Sequence, residues 1–105
     1  MSTIINTVNE FDQLKNEYPY VVADFFATWC YPCKMLSPVL EKVEENTPNV
    51  KFVKIDVDKS TDIAIQYKIE AMPSLVFIKN GVTMGLELGF MEESKIKQLI
   101  NKYFG

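Results

Sequence analysis

Histidine is absent from the 105 residues. That gap removes Ser–His and Cys–His catalysis, imidazole metal ligation and histidine-based pH switching. Cysteine is nearly absent, with only Cys30 and Cys33. A secreted domain stapled by disulfides carries more of them, at wider spacings. No apolar run exceeds the four residues seen at Leu75 to Ile78, whereas a membrane span needs about 20. Met1 to Asn6 holds no basic region followed by an apolar stretch, so no secretory signal is expected, and the start at Met1 argues against one already removed. The formal net charge is −3, without a run of basic residues. Nucleic acid and anionic membrane are therefore poor partners. Linkers, low-complexity tracts and internal repeats are missing too.

What is present is ordinary for a globular chain: 48% apolar and 24% charged residues. The length suits one domain over 1–105 with a core of its own. Asn6 or Thr7 caps an expected helix to about Glu17, with Val8, Phe11 and Leu14 on one face. Past Pro19, Tyr20 to Ala27 is apolar at nearly every position, as a strand buried on both faces requires. A second helix is expected from about Cys30 to Asn46, with Met35, Leu36, Val39, Leu40 and Val43 inward and Pro38 as a kink. Val50 to Val57 reads as another core strand, and Ser60 or Thr61 starts a short helix to about Tyr67. Ser74 to Lys79 and Val82 to Leu88 form a hairpin about Asn80-Gly81. A last helix runs from about Met91 to Tyr103, with Ile96, Leu99, Ile100 and Tyr103 inward. With a short first strand at Thr3 to Ile5 the order is (β)αβαβαββα. That order implies an α/β fold, a central mixed sheet of four to five strands with helices on both faces.

The cysteines fall where the first core strand hands over to a helix. Helix N-termini offer unpaired N–H groups and partial positive charge, and both stabilise a thiolate. Two intervening residues let the thiols close a small ring. Cys30 is the expected nucleophile and the more exposed sulfur; Cys33, deeper in the helix, resolves the mixed disulfide. Pro32 suits the first turn, where its missing N–H costs nothing. A zinc site lacks two further ligands. A structural disulfide across so short a loop stabilises little. A chance pair is the third bland reading. Asp24 is a carboxylate in an apolar strand, costly there unless paired or protonated, with its pKa raised by desolvation; the alternative is a strand-end residue pointing to solvent.

The stretch Ala23-Asp24-Phe25-Phe26-Ala27-Thr28-Trp29-Cys30-Tyr31-Pro32-Cys33-Lys34 resembles the thioredoxin family signature. Met72-Pro73-Ser74, Lys79-Asn80-Gly81 and Gly89 also stand at familiar places, so the likeness spans the chain. The resemblance implies a thioredoxin fold and a protein-disulfide reductase of the cytoplasm, acting in electron transport and cell redox homeostasis. It implies that Asp24 lies beneath Cys33 as proton acceptor, with Lys54 as its partner. It implies a cis bond before Pro73, with the Met72 backbone pairing an extended substrate. Trp29 becomes a cover and contact surface, and Gly89 leaves room for substrate backbone. The oxidised chain would be reduced by a flavin-containing thioredoxin reductase drawing on NADPH. The chain itself would bind no cofactor, use the Cys30–Cys33 disulfide and act as a monomer on disulfide-containing proteins.

Several positions depart from the family pattern. Tyr31 stands where glycine is usual and changes the surface around Cys30. Phe26 replaces a common tryptophan, and Ala71 and Phe90 replace frequent glycine and alanine. Two rival readings follow. One is an oxidase or isomerase, with the potential shifted by Tyr31. The other is a binding module that uses the apolar surface of Trp29, Tyr31, Met72 and Phe90.

Overall fold

The computed structural model describes residues 3–105; Met1 and Ser2, the start of the segment read for a secretory signal, lie outside the described residues. The elements are β1 (Thr3–Ile4), α1 (Val8–Glu17), β2 (Tyr20–Phe26), α2 (Tyr31–Glu45), β3 (Lys51–Asp56), α3 (Thr61–Gln66), β4 (Ser74–Lys79), β5 (Val82–Leu88) and α4 (Glu93–Phe104). They build one five-stranded sheet in the order β1-β3-β2-β4-β5. β2 pairs parallel with β3 and antiparallel with β4, so the sheet is mixed as expected.

Strand alternation sorts the core into two layers. Val21, Ala23 and Phe25 of β2 join Val53, Ile55, Val76 and Ile78 against Phe11 and Leu14 of α1 and Ile63 of α3. Val22 turns the other way, with Phe52, Leu75 and Phe77, onto Leu36, Leu40 and Val43 of α2 and Ile96, Leu99 and Phe104 of α4. Asp24 shares the parity of Val22 and sits in register between Lys54 and Leu75. It therefore lies on the sheet face that α2 covers.

Local chemistry sets the element ends. The Thr7 hydroxyl accepts the Glu10 N–H at 3.1 Å and caps α1. The hairpin turn takes φ of 52° at Asn80 and 80° at Gly81, the left-handed pair an Asn-Gly turn supplies. α2 continues through Pro38 to Glu45 rather than stopping there. Two expectations need correction. Met35 is exposed, not inward: Cys33, Leu36, Leu40 and Val43 already form the buried stripe, and Met35 falls on the opposite face. α4 starts at Glu93, with Met91 buried just ahead of it. Tyr103 packs inward on this core as expected, half-buried, its ring 4.9 Å from that of Phe77 and its hydroxyl donating to Glu87.

Candidate active site

β2 ends at Phe26, and α2 begins at Tyr31 after three connecting residues and the cap. Cys30 is the N-cap residue, with φ −86° and ψ 111°, and its sulfur accepts the Cys33 N–H at 3.2 Å. The sulfur thus takes the place that a Ser or Asp oxygen holds in most caps. Pro32 sits within the first turn, where no intrahelical N–H is lost. Cys30 and Cys33 are joined in a disulfide, with Cα atoms 5.3 Å apart. Their relative exposures are 5% and 4%. The expected difference in exposure is therefore not found in this oxidised form. Both cysteines pack with Ala27 and the partly buried Phe26, Val57 and Met72. What separates the two is helix position, the cap against the interior of the first turn.

Asp24 is 2% exposed, which overturns the solvent-facing alternative. Neither carboxylate oxygen has a hydrogen-bond partner among the described residues. Burial pushes its pKa up to about 6, against the opposing pull of the Lys54 charge. Lys54 is half-buried. Its ammonium donates to Ser37 Oγ at 3.0 Å and lies 4.8 Å from the centre of the Phe26 ring. Lys54 therefore acts on Asp24 through space and not as a hydrogen-bonded ion pair. A cavity of about 380 Å³ runs between Phe26, Thr28, Lys34, Ser37 and Lys54, with Cys33 in its wall.

Around the sulfurs lies a broken apolar rim. Trp29 is 68% exposed, so it is not a core residue. Its indole N–H donates to Asp58 Oδ2 at 2.8 Å. Asp58 is held in turn, its N–H donating to Asp56 Oδ1 at 2.9 Å. Tyr31 is also largely exposed, and Phe90 partly so. The Met72–Pro73 bond is cis. Met72 packs half-buried on the cysteines. Its backbone N–H and C=O make no hydrogen bond among the described residues. The Pro73 carbonyl accepts the Gly89 N–H at 2.8 Å, tying the two loops together. Gly89 has φ +91°, and a Cβ there would meet nothing within 4 Å. Glycine is required by that backbone angle, while the space beside it is open.

Sequence reasoning missed Ser37, Asp56 and Asp58. The only signal for the last two was an Asp two residues ahead of a loop position, as Asx turns show. Ser37 carried none, because its role depends on where Lys54 points.

Comparison with known proteins agrees with this geometry. The thioredoxin family model matches residues 2–102. Thioredoxin-1 of Saccharomyces cerevisiae is 42% identical over 100 residues, covering 95% of this chain and 96% of the yeast protein. Thioredoxin of Mycoplasma genitalium is 38% identical over 101 residues, covering 96% and 99%. Among solved structures, oxidised mitochondrial thioredoxin 3 of S. cerevisiae superposes with a TM-score of 0.90 at 39% identity, covering 96% of this chain and 94% of that one. The oxidised thioredoxin of Plasmodium falciparum gives 0.89 at 34% identity over the full length of both.

Proposed function

The chain belongs to the thioredoxin family, and we propose how Cys30, Cys33 and Asp24 divide the work of disulfide exchange. As a thiol–disulfide oxidoreductase it reduces protein disulfides through Cys30 and Cys33 and is returned to the dithiol by a thioredoxin reductase that draws on NADPH. In the reduced protein the Cys30 thiolate, stabilised by the N–H groups and dipole of α2, attacks one sulfur of the substrate disulfide. A Cys30–substrate disulfide forms and the other substrate sulfur leaves as a thiolate. Cys33 then gives its proton to the Asp24 carboxylate and attacks the Cys30 sulfur. The second substrate thiol departs, two electrons have passed to the substrate, and the Cys30–Cys33 disulfide remains.

The observation that carries this reading is Asp24: buried, without a hydrogen-bond partner, and on the face of the sheet covered by the helix of Cys33. With a pKa raised to about 6 it is mostly ionised at pH 7, yet a better base than an ordinary carboxylate. Lys54 serves as a positioning residue, its charge opposing the desolvation of Asp24. Trp29, Tyr31, Pro32, Met72, Pro73 and Gly89 form the substrate rim, with the unpaired backbone of Met72 available to an added strand. The Cys-Tyr-Pro-Cys sequence, a single domain, a monomeric state and a cytoplasmic setting belong to the same proposal. A redox-active pair with no other cysteine suits a reducing compartment, though one relative is named as mitochondrial.

The test is a trapping experiment with Cys33→Ser. A disulfide-bearing protein such as insulin is expected to accumulate as a mixed disulfide on Cys30. An adduct-free Cys33→Ser protein would overturn the assignment of roles.

A further inference from the structure

The outer face of α2 has an anomaly that core packing does not explain. Its inner stripe, Cys33, Leu36, Leu40 and Val43, is buried as an amphipathic helix requires. The opposite face should be polar throughout. In the half away from the cysteines it is, with Glu41, Lys42 and Glu45 exposed. In the half next to them it carries Tyr31, Met35 and Pro38 instead, all exposed. Tyr31 is 71% and Met35 44% accessible. They are four residues apart and Pro38 is three further on, so the three line up along one face. No acidic residue interrupts this half of the helix, and Lys34 beside it has no ion-pair partner among the described residues.

An apolar strip on a solvent face marks a surface that something covers. Its placement says what. The strip starts at the residue after Cys30, so it is continuous with the exchange site and lies within reach of the segments that flank a disulfide presented to Cys30. We propose that Tyr31, Met35 and Pro38 form a specificity ridge that selects disulfide-bearing protein segments with an apolar side chain flanking the reactive cysteine. The proposal rests on the exchange reading above and extends the substrate site along α2, away from the Met72 and Gly89 loops. Tyr31 supplies a rigid flat surface, and Met35 an adaptable thioether that fits side chains of varied shape.

The test uses disulfide-cyclised peptides that differ only in whether the residues flanking one cysteine are Leu or Ser. Oxidation of the reduced protein is followed by Trp29 fluorescence, and the reading is the ratio of the two second-order rate constants within each protein variant. A general loss of activity cancels from that ratio. Wild-type protein is expected to favour the Leu peptide about fivefold, the size of a partly buried aliphatic side chain. In Met35→Ser the ratio should fall towards one. Met35 is exposed, so this variant keeps its core. A wild-type ratio of one, or an unchanged preference in Met35→Ser, overturns the ridge. If wild type reduces neither peptide, disulfide exchange itself fails, and the ridge fails with it.

Discussion

Two carboxylates are buried among the described residues, one on β2 and one at the end of β3, and they are treated in opposite ways. Asp56, at the end of β3, is 7% exposed and hydrogen-bonded. Its Oδ1 accepts the N–H groups of Asp58 at 2.9 Å and Lys59 at 3.4 Å. Asp24, in the middle of β2, is 2% exposed and has no partner on either oxygen. A buried polar group without a hydrogen bond costs stability. Asp56 is explained by folding alone, because it shapes the turn that carries Asp58 and so holds Trp29. Asp24 costs the fold stability with no structural return, and the proposed role as proton acceptor for Cys33 accounts for that cost.

The largest effect would break the comparison outright. Cys30→Ser should lower insulin-disulfide reduction by about a thousandfold or more, as loss of a nucleophile does. Were activity to persist, the cost of Asp24 would have no chemistry to account for it. Asp24→Asn comes next and should split activity from stability. Resolution of the mixed disulfide should slow by about a hundredfold, within the range of general base catalysis. The folded protein should at the same time gain about 2–3 kcal/mol at pH 7, read by urea unfolding of the oxidised form.

The sign of the pH dependence follows from the raised pKa. Below about pH 4 the carboxyl is protonated in both states. Between the ordinary 3.8 and about 6 the folded protein keeps a proton that the unfolded chain has lost. Stability contributed by that proton therefore falls as pH rises through this window and is gone above it. Asp24→Asn should remove that slope.

Asp56→Ala should do the reverse of Asp24→Asn. It leaves two backbone N–H groups without their acceptor and should cost about 2 kcal/mol, while thiol exchange per folded molecule stays close to wild type. Asp58→Ala should be mildest, at about 0.5–1 kcal/mol for an exposed hydrogen bond, with a visible shift in Trp29 emission as the indole loses its anchor.

Much of this was legible in the chain. The apolar run of β2 announced a central strand, Asn80-Gly81 announced the hairpin, and the cysteine pair stood at a strand-to-helix junction that chemistry could read directly. Asp24 was visible because a charge in an apolar run is an anomaly. Met35 departs from the expectation because apolar character alone does not set which way a helical side chain faces; the phase of Cys33, Leu36, Leu40 and Val43 decides its side. The Lys54–Ser37 contact was not readable, because a lysine opposite an acid in register suggests an ion pair, and its actual direction depends on the packing of α2 over Phe26. The Trp29–Asp58 link joins residues 29 positions apart, beyond any local pattern.

The central claim is that Asp24 takes the proton of Cys33 during resolution. It is tested most directly by the lifetime of the Cys30–substrate disulfide, followed by rapid alkylation quench across pH 5 to 8 in wild type and Asp24→Asn. The account predicts that resolution in wild type accelerates as pH rises through about 6, and that Asp24→Asn is slow and lacks this inflection. Equal lifetimes with the same pH profile in both proteins would contradict it.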